Sequence, residues 1–263
     1  MNIGFIGCGN MAKAMIRGIL EKTDREMVQV MASAKTKASI EKSAKELGIL
    51  AGSNEETAAF ADVLFLAVKP QFYEDVISQI RDHVKKEAVI VTLAPGKTLE
   101  WLSQQFGGTR KIIRTMPNTP AMVGEGMTGV CPGENISEED LALVMKLCAM
   151  FGKAQCVPER LMDVVTGVSG SSPAYVFMMI EAMADGAVAD GMPRAQAYEF
   201  AAQAVLGSAK LMLETGKHPG ELKDMVCSPG GTTIEAVRVL EDKGFRSALI
   251  EAEKACVRKS RGM

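Results

Sequence analysis

The sequence predicts a two-part protein: an α/β domain with a doubly wound, mainly parallel sheet over residues 1–158, then an all-α domain over 159–263. Three observations predict it. The chain opens on a short apolar run, Asn2–Ile6, that feeds a glycine-rich turn and then a helical pattern. Strand-like and helix-like segments alternate as far as Val157. Beyond Val157 strand patterns stop, and long helices that are apolar on most sides take over.

The first turn, Gly7-Cys8-Gly9-Asn10-Met11-Ala12, fits G-x-G-x-x-A. Gly7 allows the tight turn, Gly9 lets a pyrophosphate approach the backbone, and Ala12 lets the helix pack closely on the strand. A plain strand-to-helix turn could carry the same glycines. Its place between an initial strand and a helix with Met11, Met15, Ile16, Ile19 and Leu20 on one face favours a Rossmann dinucleotide site. Gly7, Gly9, Asn10 and Met11 are its expected contacts. The second strand is Met27–Ala32, and Ser33 follows where an NAD-binding site usually has an acid. A hydroxyl at Ser33 with the ammonium groups of Lys35 and Lys37 suits a 2′-phosphate, so NADPH is expected over NADH. The alternative is that the two lysines are only a solvated helix start.

Helix Thr36–Leu47, short helix Glu55–Phe60, strand Val63–Val68, helix Gln71–His83, strand Ala88–Leu93, helix Leu99–Phe106 and strand Lys111–Thr115 follow. In such a sheet ligands lie beyond the carboxyl ends of the strands. Three loops fall there: Gly7–Ala12, Ala67-Val68-Lys69-Pro70, and Met116-Pro117-Asn118-Thr119-Pro120. Ser137-Glu138-Glu139-Asp140 is a capping box for a helix running to about Phe151.

In the second part Glu159–Gly167 reads as helix and Ser169-Gly170-Ser171-Ser172-Pro173 as a loop with a helix start. Apolar helices follow, from about Ala174 to Asp190 and from about Arg194 to Thr215. One small domain could not cover both, so they are expected to pack in a homodimer. Lys217-His218-Pro219-Gly220 reads as a turn. Ser228-Pro229-Gly230-Gly231-Thr232-Thr233 then breaks a helix and starts another near Ile234, with Thr232 or Thr233 as its cap. Free N–H groups at such a start form a seat for a carboxylate or phosphate.

Composition narrows the function. A net charge of −2 does not suggest nucleic acid or an anionic membrane as partner. No run of about 18 apolar residues suggests a membrane span, and the N-terminus does not read as a signal peptide. The six cysteines form no C-x-x-C, so neither zinc nor a disulfide framework is expected, and a cytoplasmic location is. Cys8 and Cys227 lie in ligand loops, where filling space is the simpler reading. An enzyme oxidising alcohols needs a proton acceptor. His83 and His218 are the only histidines, and no lysine occurs between Lys153 and Lys210, where hydroxyacid dehydrogenases of similar layout carry theirs. An imine can arrive protonated, so it needs only orientation and hydride.

Together these motifs resemble the pyrroline-5-carboxylate reductase family. They are the opening G-x-G-x-x-A, Ala67–Pro70, Met116–Pro120, Ser169–Tyr175, His218–Asp224 and Ser228-Pro229-Gly230-Gly231-x-Thr233-Ile234. The resemblance spans essentially the whole chain. It implies NAD(P)H-dependent reduction of L-1-pyrroline-5-carboxylate to L-proline, the last step of proline biosynthesis, with dimers that in some members assemble into decamers. It also implies that Thr233 bonds the ring nitrogen. Ser228 with the turn at Gly230, Gly231 and Thr232 would hold the carboxylate. Ala67, Val68, Lys69 and Pro70 would line the nicotinamide–ribose region, Asn54 would lie near the adenosine, and Asn118 joins the cofactor set. The family usually has glycine in place of Ser172; a serine there either caps the helix or narrows the pocket beside the nicotinamide. Alternatives are a reductase of another cyclic imine and an inactive nucleotide sensor.

Overall fold

A computed structural model describes residues 1–262. The alternation runs β1 (Asn2–Ile6), α1 (Asn10–Lys22), β2 (Gln29–Ser33), α2 (Lys37–Leu47), β3 (Leu50–Ala51), α3 (Asn54–Phe60) and β4 (Val63–Leu66). It continues with α4 (Tyr73–Ile80), β5 (Val89–Thr92), α5 (Leu99–Gln105), β6 (Lys111–Met116), β7 (Gly126–Pro132), α6 (Glu138–Ala149) and β8 (Gly152–Cys156). The eight strands form one sheet in the order β3-β2-β1-β4-β5-β6-β7-β8. All neighbours are parallel except β6 and β7.

Side chains alternate across a strand, and here both faces are covered. Ile3, Phe5, Val63, Phe65, Val89, Val91 and Ile113 point into one core with Met15, Ile16 and Ile19 of α1 and Val144 and Leu147 of α6. Ile6, Leu64, Leu66, Ile90 and Ile112 point into the other, against Ala58 of α3, Ile77 and Ile80 of α4 and Leu102 of α5. Phe5 and Phe65 are register partners on β1 and β4, and their rings stack at 4.7 Å between centroids.

Three strands exceed the sequence expectation, the first being the two-residue β3. β7 carries two glycines and ends in proline, and β8, Gly-Lys-Ala-Gln-Cys, is polar, so neither shows an alternating apolar pattern. The helix expected over Gln71–His83 is shorter: Pro70–Phe72 is a 3₁₀ turn and α4 stops at Ile80.

The chain divides into two compact units, Met1–Ser171 together with the segment from Cys256, and Ser172–Ala255. The first unit includes a 3₁₀ turn Glu159–Leu161, α7 (Met162–Val165) and a π-helical turn, Thr166–Ser171. Residues 169–171, expected as loop, are therefore helical. Glu159 Oε1 accepts from Arg114 Nη1 of β6 at 2.5 Å and from the Leu99 N–H at the start of α5 at 2.7 Å, which anchors this segment to the sheet.

The second unit holds α8 (Ser172–Ala189), α9 (Arg194–Thr215), α10 (Pro219–Val226), α11 (Thr232–Asp242) and most of α12 (Phe245–Ser260). Only Ala184, Ala197 and Ala201 of α8 and α9 are buried, while Phe177, Met178, Phe200 and Leu213 are each more than 60% exposed. His218 does not merely turn the chain: its Nδ1 accepts from the Gly220 N–H and caps α10.

Among the described residues no helix is long and apolar enough to cross a membrane. Thr128 on β7 is 1% exposed, and its Oγ1 is the one buried side-chain polar atom without a hydrogen-bond partner among the described residues. Replacing it by an isosteric methyl removes an uncompensated desolvation cost, so Thr128→Val should stabilise the protein by about 1 kcal/mol. The urea midpoint measures this; a loss of stability of that size would show that the hydroxyl has a partner.

Candidate active site

The carboxyl ends of β1, β2 and β4 meet at the point where the strand order reverses, the crevice in which doubly wound sheets bind ligands. Gly7 has φ +94°, a left-handed conformation that suits glycine. A side chain there would also collide, its Cβ lying 2.8 Å from the Ala67 carbonyl oxygen. The Gly7 N–H donates to the Ser33 carbonyl at 3.2 Å, so the loops after β1, β2 and β4 are drawn together at this glycine.

Gly9 is the N-cap of α1, with no side-chain cap and no acid in the first turn. A Cβ at Gly9 would meet nothing within 4 Å. The N–H groups that start α1, from Asn10 and Met11 onward, thus face an open approach at the positive end of the helix, which fits a pyrophosphate. Ser33 is buried; its Oγ donates to Asn54 Oδ1 at 2.7 Å, and Asn54 Nδ2 donates to Gln79 Oε1 at 2.8 Å. Lys35 is exposed two residues beyond Ser33. Ala67 and Val68, which a Cβ at Gly7 would touch, are half-buried, and Lys69 and Pro70 follow them in the chain. Burial pushes the Cys8 thiol up, against a hydrogen bond with Ser43 and the charge of Lys13.

Asn118 lies just beyond β6. Its Oδ1 accepts from the Met127 N–H at 2.8 Å and its Nδ2 donates to the Ser169 carbonyl at 3.0 Å. Two features of this edge lie outside the expected set. The loop after β5, Leu93 to Thr98, shares it, and its sequence signal is a glycine with φ +72° at Gly96 before a helix cap at Thr98. Tyr73 is fully buried, donates from its hydroxyl to the Leu66 carbonyl at 2.7 Å and accepts from the Leu93 N–H at 3.1 Å. It braces the ends of β4 and β5, and burial raises its pKa. An aromatic residue within a helical pattern gave no signal of that bond.

In the second unit, Ser228, Gly230, Gly231, Thr232 and Thr233 lie in a single turn. Gly230 has φ +68°, and the Gly231 N–H donates to the Ser228 carbonyl at 3.1 Å. A Cβ on Gly231 would lie 2.3 Å from Ser228 Oγ, so a side chain there would push the serine hydroxyl aside. The helix begins two residues earlier than expected: α11 starts at Thr232 and Gly231 is its cap, with no side-chain cap bond. Neither Thr232 nor Thr233 caps it. Their N–H groups stand in the first turn, and the Thr233 hydroxyl is not consumed as a cap.

A family model described as pyrroline-5-carboxylate reductase dimerisation matches residues 159–263, and one described as NADP oxidoreductase coenzyme F420-dependent matches residues 2–96. The pyrroline-5-carboxylate reductase of Escherichia coli (strain K12) is 54% identical over 259 residues, covering 98% of this chain and 96% of the relative. The chain belongs to the pyrroline-5-carboxylate reductase family. The crystal structure of 1-pyrroline-5-carboxylate reductase from Streptococcus pyogenes superposes with a TM-score of 0.91 at 32% identity, covering 100% of this chain and 99% of that one. A Plasmodium falciparum pyrroline carboxylate reductase with NADP bound gives 0.89 at 28% identity, covering 100% and 97%. As in its family, a Rossmann-like, mostly parallel sheet precedes a helical dimerisation region.

In this reductase the brace at Tyr73 holds the loop that begins at Ala67. Tyr73→Phe leaves a buried carbonyl and a buried N–H unpaired and should cost roughly 1–3 kcal/mol of stability. Urea denaturation measures the loss, and an unchanged midpoint would remove the brace.

Proposed function

We propose that this pyrroline-5-carboxylate reductase converts L-1-pyrroline-5-carboxylate to L-proline, with NADPH as preferred donor and NADH as a weaker one. The observation that carries the substrate assignment is the turn Ser228–Thr233. It offers an uncapped helix start for a carboxylate and a hydroxyl one residue further for a ring nitrogen. In this reading Ser228 and the N–H groups of Gly231 and Thr232 hold the carboxylate, the flexible Gly230 shapes the turn, and Thr233 Oγ1 orients the protonated imine. The bound nicotinamide supplies hydride to the imine carbon. The chain's contribution is then positioning and electrostatics, with no general base required.

The open glycine turn at Gly7 and Gly9 fits the pyrophosphate of that cofactor, with Asn10 and Met11 at the helix start. Ser33 and Lys35 support the 2′-phosphate, the Ser33 hydroxyl turning from Asn54 toward it. Asn54 then lies at the adenosine side, and Ala67, Val68, Lys69 and Pro70 at the nicotinamide–ribose side. A relative with NADP bound supports the same preference.

The exposed apolar side chains of α8 and α9 support a homodimer through these helices, in line with the dimerisation model that matches residues 159–263. Sedimentation velocity of the purified protein should give a dimer or a multiple of it, such as a decamer. A stable, active monomer would overturn this assignment.

Oxidation of NADPH followed by absorbance, with pyrroline-5-carboxylate as substrate, tests the reaction; slow turnover with NADPH and fast turnover with NADH would reverse the cofactor assignment. Thr233→Ala should lose roughly 1.5–3 kcal/mol of transition-state binding, about 10- to 150-fold in kcat/KM. An unchanged kcat/KM would take Thr233 out of the mechanism.

A further inference from the structure

Pro173, just past the π-helical turn Thr166–Ser171, has no N–H, so the Ser169 carbonyl has no α-helical donor four residues on. From outside the helix, Asn118 Nδ2 donates to that carbonyl at 3.0 Å. Asn118 is 8% exposed, and its other polar atom is held by the Met127 N–H at 2.8 Å, so its side chain is fixed in direction from the β7 side. A second contact grips the same turn. A Cβ built on Gly170 would lie 2.7 Å from Met116 Cε, so the last residue of β6 sits directly on the turn. Inside the turn the side chains bond backward: Thr166 Oγ1 donates to the Met162 carbonyl and Ser169 Oγ to the Val165 carbonyl, each at 3.0 Å.

The place of this turn connects it to the reaction. It rests on the carboxyl end of β6, on the same edge of the sheet as the glycine turn. Ser33 and Asn54 lie on the β2 side of that turn, and β4, β5 and β6 on the other. A dinucleotide with its adenosine at Ser33 and its pyrophosphate at Gly9 must extend its nicotinamide toward the β4–β6 side. π-Helical turns recur at functional sites because they aim backbone and side chains where an α-helix would not.

We propose that Asn118 is a positioning residue for hydride transfer, donating a hydrogen bond to the Ser169 carbonyl and so fixing the π-helical turn that borders the reacting end of the cofactor groove. The inference rests on the proposed reductase reaction. It moves Asn118 from the cofactor-contacting set, where the sequence had put it, to a role exercised through Ser169. It also joins the Met116–Pro120 motif and the turn at Ser169 and Gly170 into one mechanical unit.

Asn118→Asp tests it, because the carboxylate keeps an acceptor for Met127 but has no donor for Ser169. With wild-type protein alongside, kcat is measured at saturating NADPH and pyrroline-5-carboxylate, and NADPH affinity by fluorescence titration. The expected result is a fall in kcat of about tenfold or more with NADPH Kd changed by no more than about twofold. Should that variant fail to fold, Gly170→Ala displaces the same turn against the flexible tip of Met116, and it should show the same split with a smaller loss. A rise in NADPH Kd with kcat retained, in either variant, makes Asn118 and its turn part of cofactor binding and overturns the proposal. So does a kcat within about twofold of wild type. Wild-type protein that binds NADPH but does not turn over pyrroline-5-carboxylate overturns both the reaction and this inference, whereas active wild type with an unimpaired variant overturns the inference alone.

Discussion

Burial of the sheet on both faces is the constraint on which the rest of the structure depends. All four residues of β4 are fully buried, and they alternate between two helical layers. A slip of one residue would exchange the two sets and leave both cores misfitted, so strand register is held tightly. On one face Phe5 and Phe65 stack across β1 and β4. On the other, α3 comes so close to β1 that a Cβ at Gly4 would lie 2.8 Å from Ala61 Cβ. The carboxyl ends of β1 and β4 are thereby set in place, and the crevice between them follows from the packing beneath it.

Helix starts differ in how they are capped. Thr36, Ser53, Thr98 and Ser137 cap α2, α3, α5 and α6 with their own side chains, and His218 caps α10. Helices α4, α7 and α9 start without a side-chain cap at Phe72, Leu161 and Pro193, and α1 and α11 do so at a glycine, Gly9 and Gly231. With glycine at the cap, the lost side-chain bond costs only about a few tenths of a kcal/mol. In exchange, the N–H groups of these two helices remain available to an external anion, and these are the two positions at which the family resemblance expects pyrophosphate and carboxylate. Each compact unit contributes one of these two glycine starts.

The segment that leaves the sheet is held by polar contacts rather than by apolar packing alone. The Arg114 side chain is 7% exposed on β6 and pairs with Glu159, whose carboxylate also takes the first N–H of α5. A few residues on, Asn118 takes up the Ser169 carbonyl. Charge-assisted and amide bonds are directional, so they define the path of the π-helical turn more sharply than apolar contacts could.

Much of this was legible in the sequence because it rests on local chemistry. Periodicity revealed the α/β alternation and the apolar helices, and the G-x-G-x-x-A turn declared itself by its place between strand and helix. The capping box at Ser137 formed as its residues dictate. Strands β7 and β8 were not legible, because their glycines and polar residues acquire a strand conformation only by pairing with neighbours far along the chain. The buried bonds of Tyr73, Glu159 and Asn118 were not legible for the same reason: each partner lies from 7 to 60 residues away. The sequence by itself therefore determined the fold class, the family and the two glycine turns, since these depend on backbone freedom and on the spacing of apolar residues. Only the tertiary structure decided that α11 starts at Thr232, that residues 166–171 form a π-helical turn and that Asn118 is spent on Ser169, since these depend on which backbone groups find donors once the chain has closed on itself.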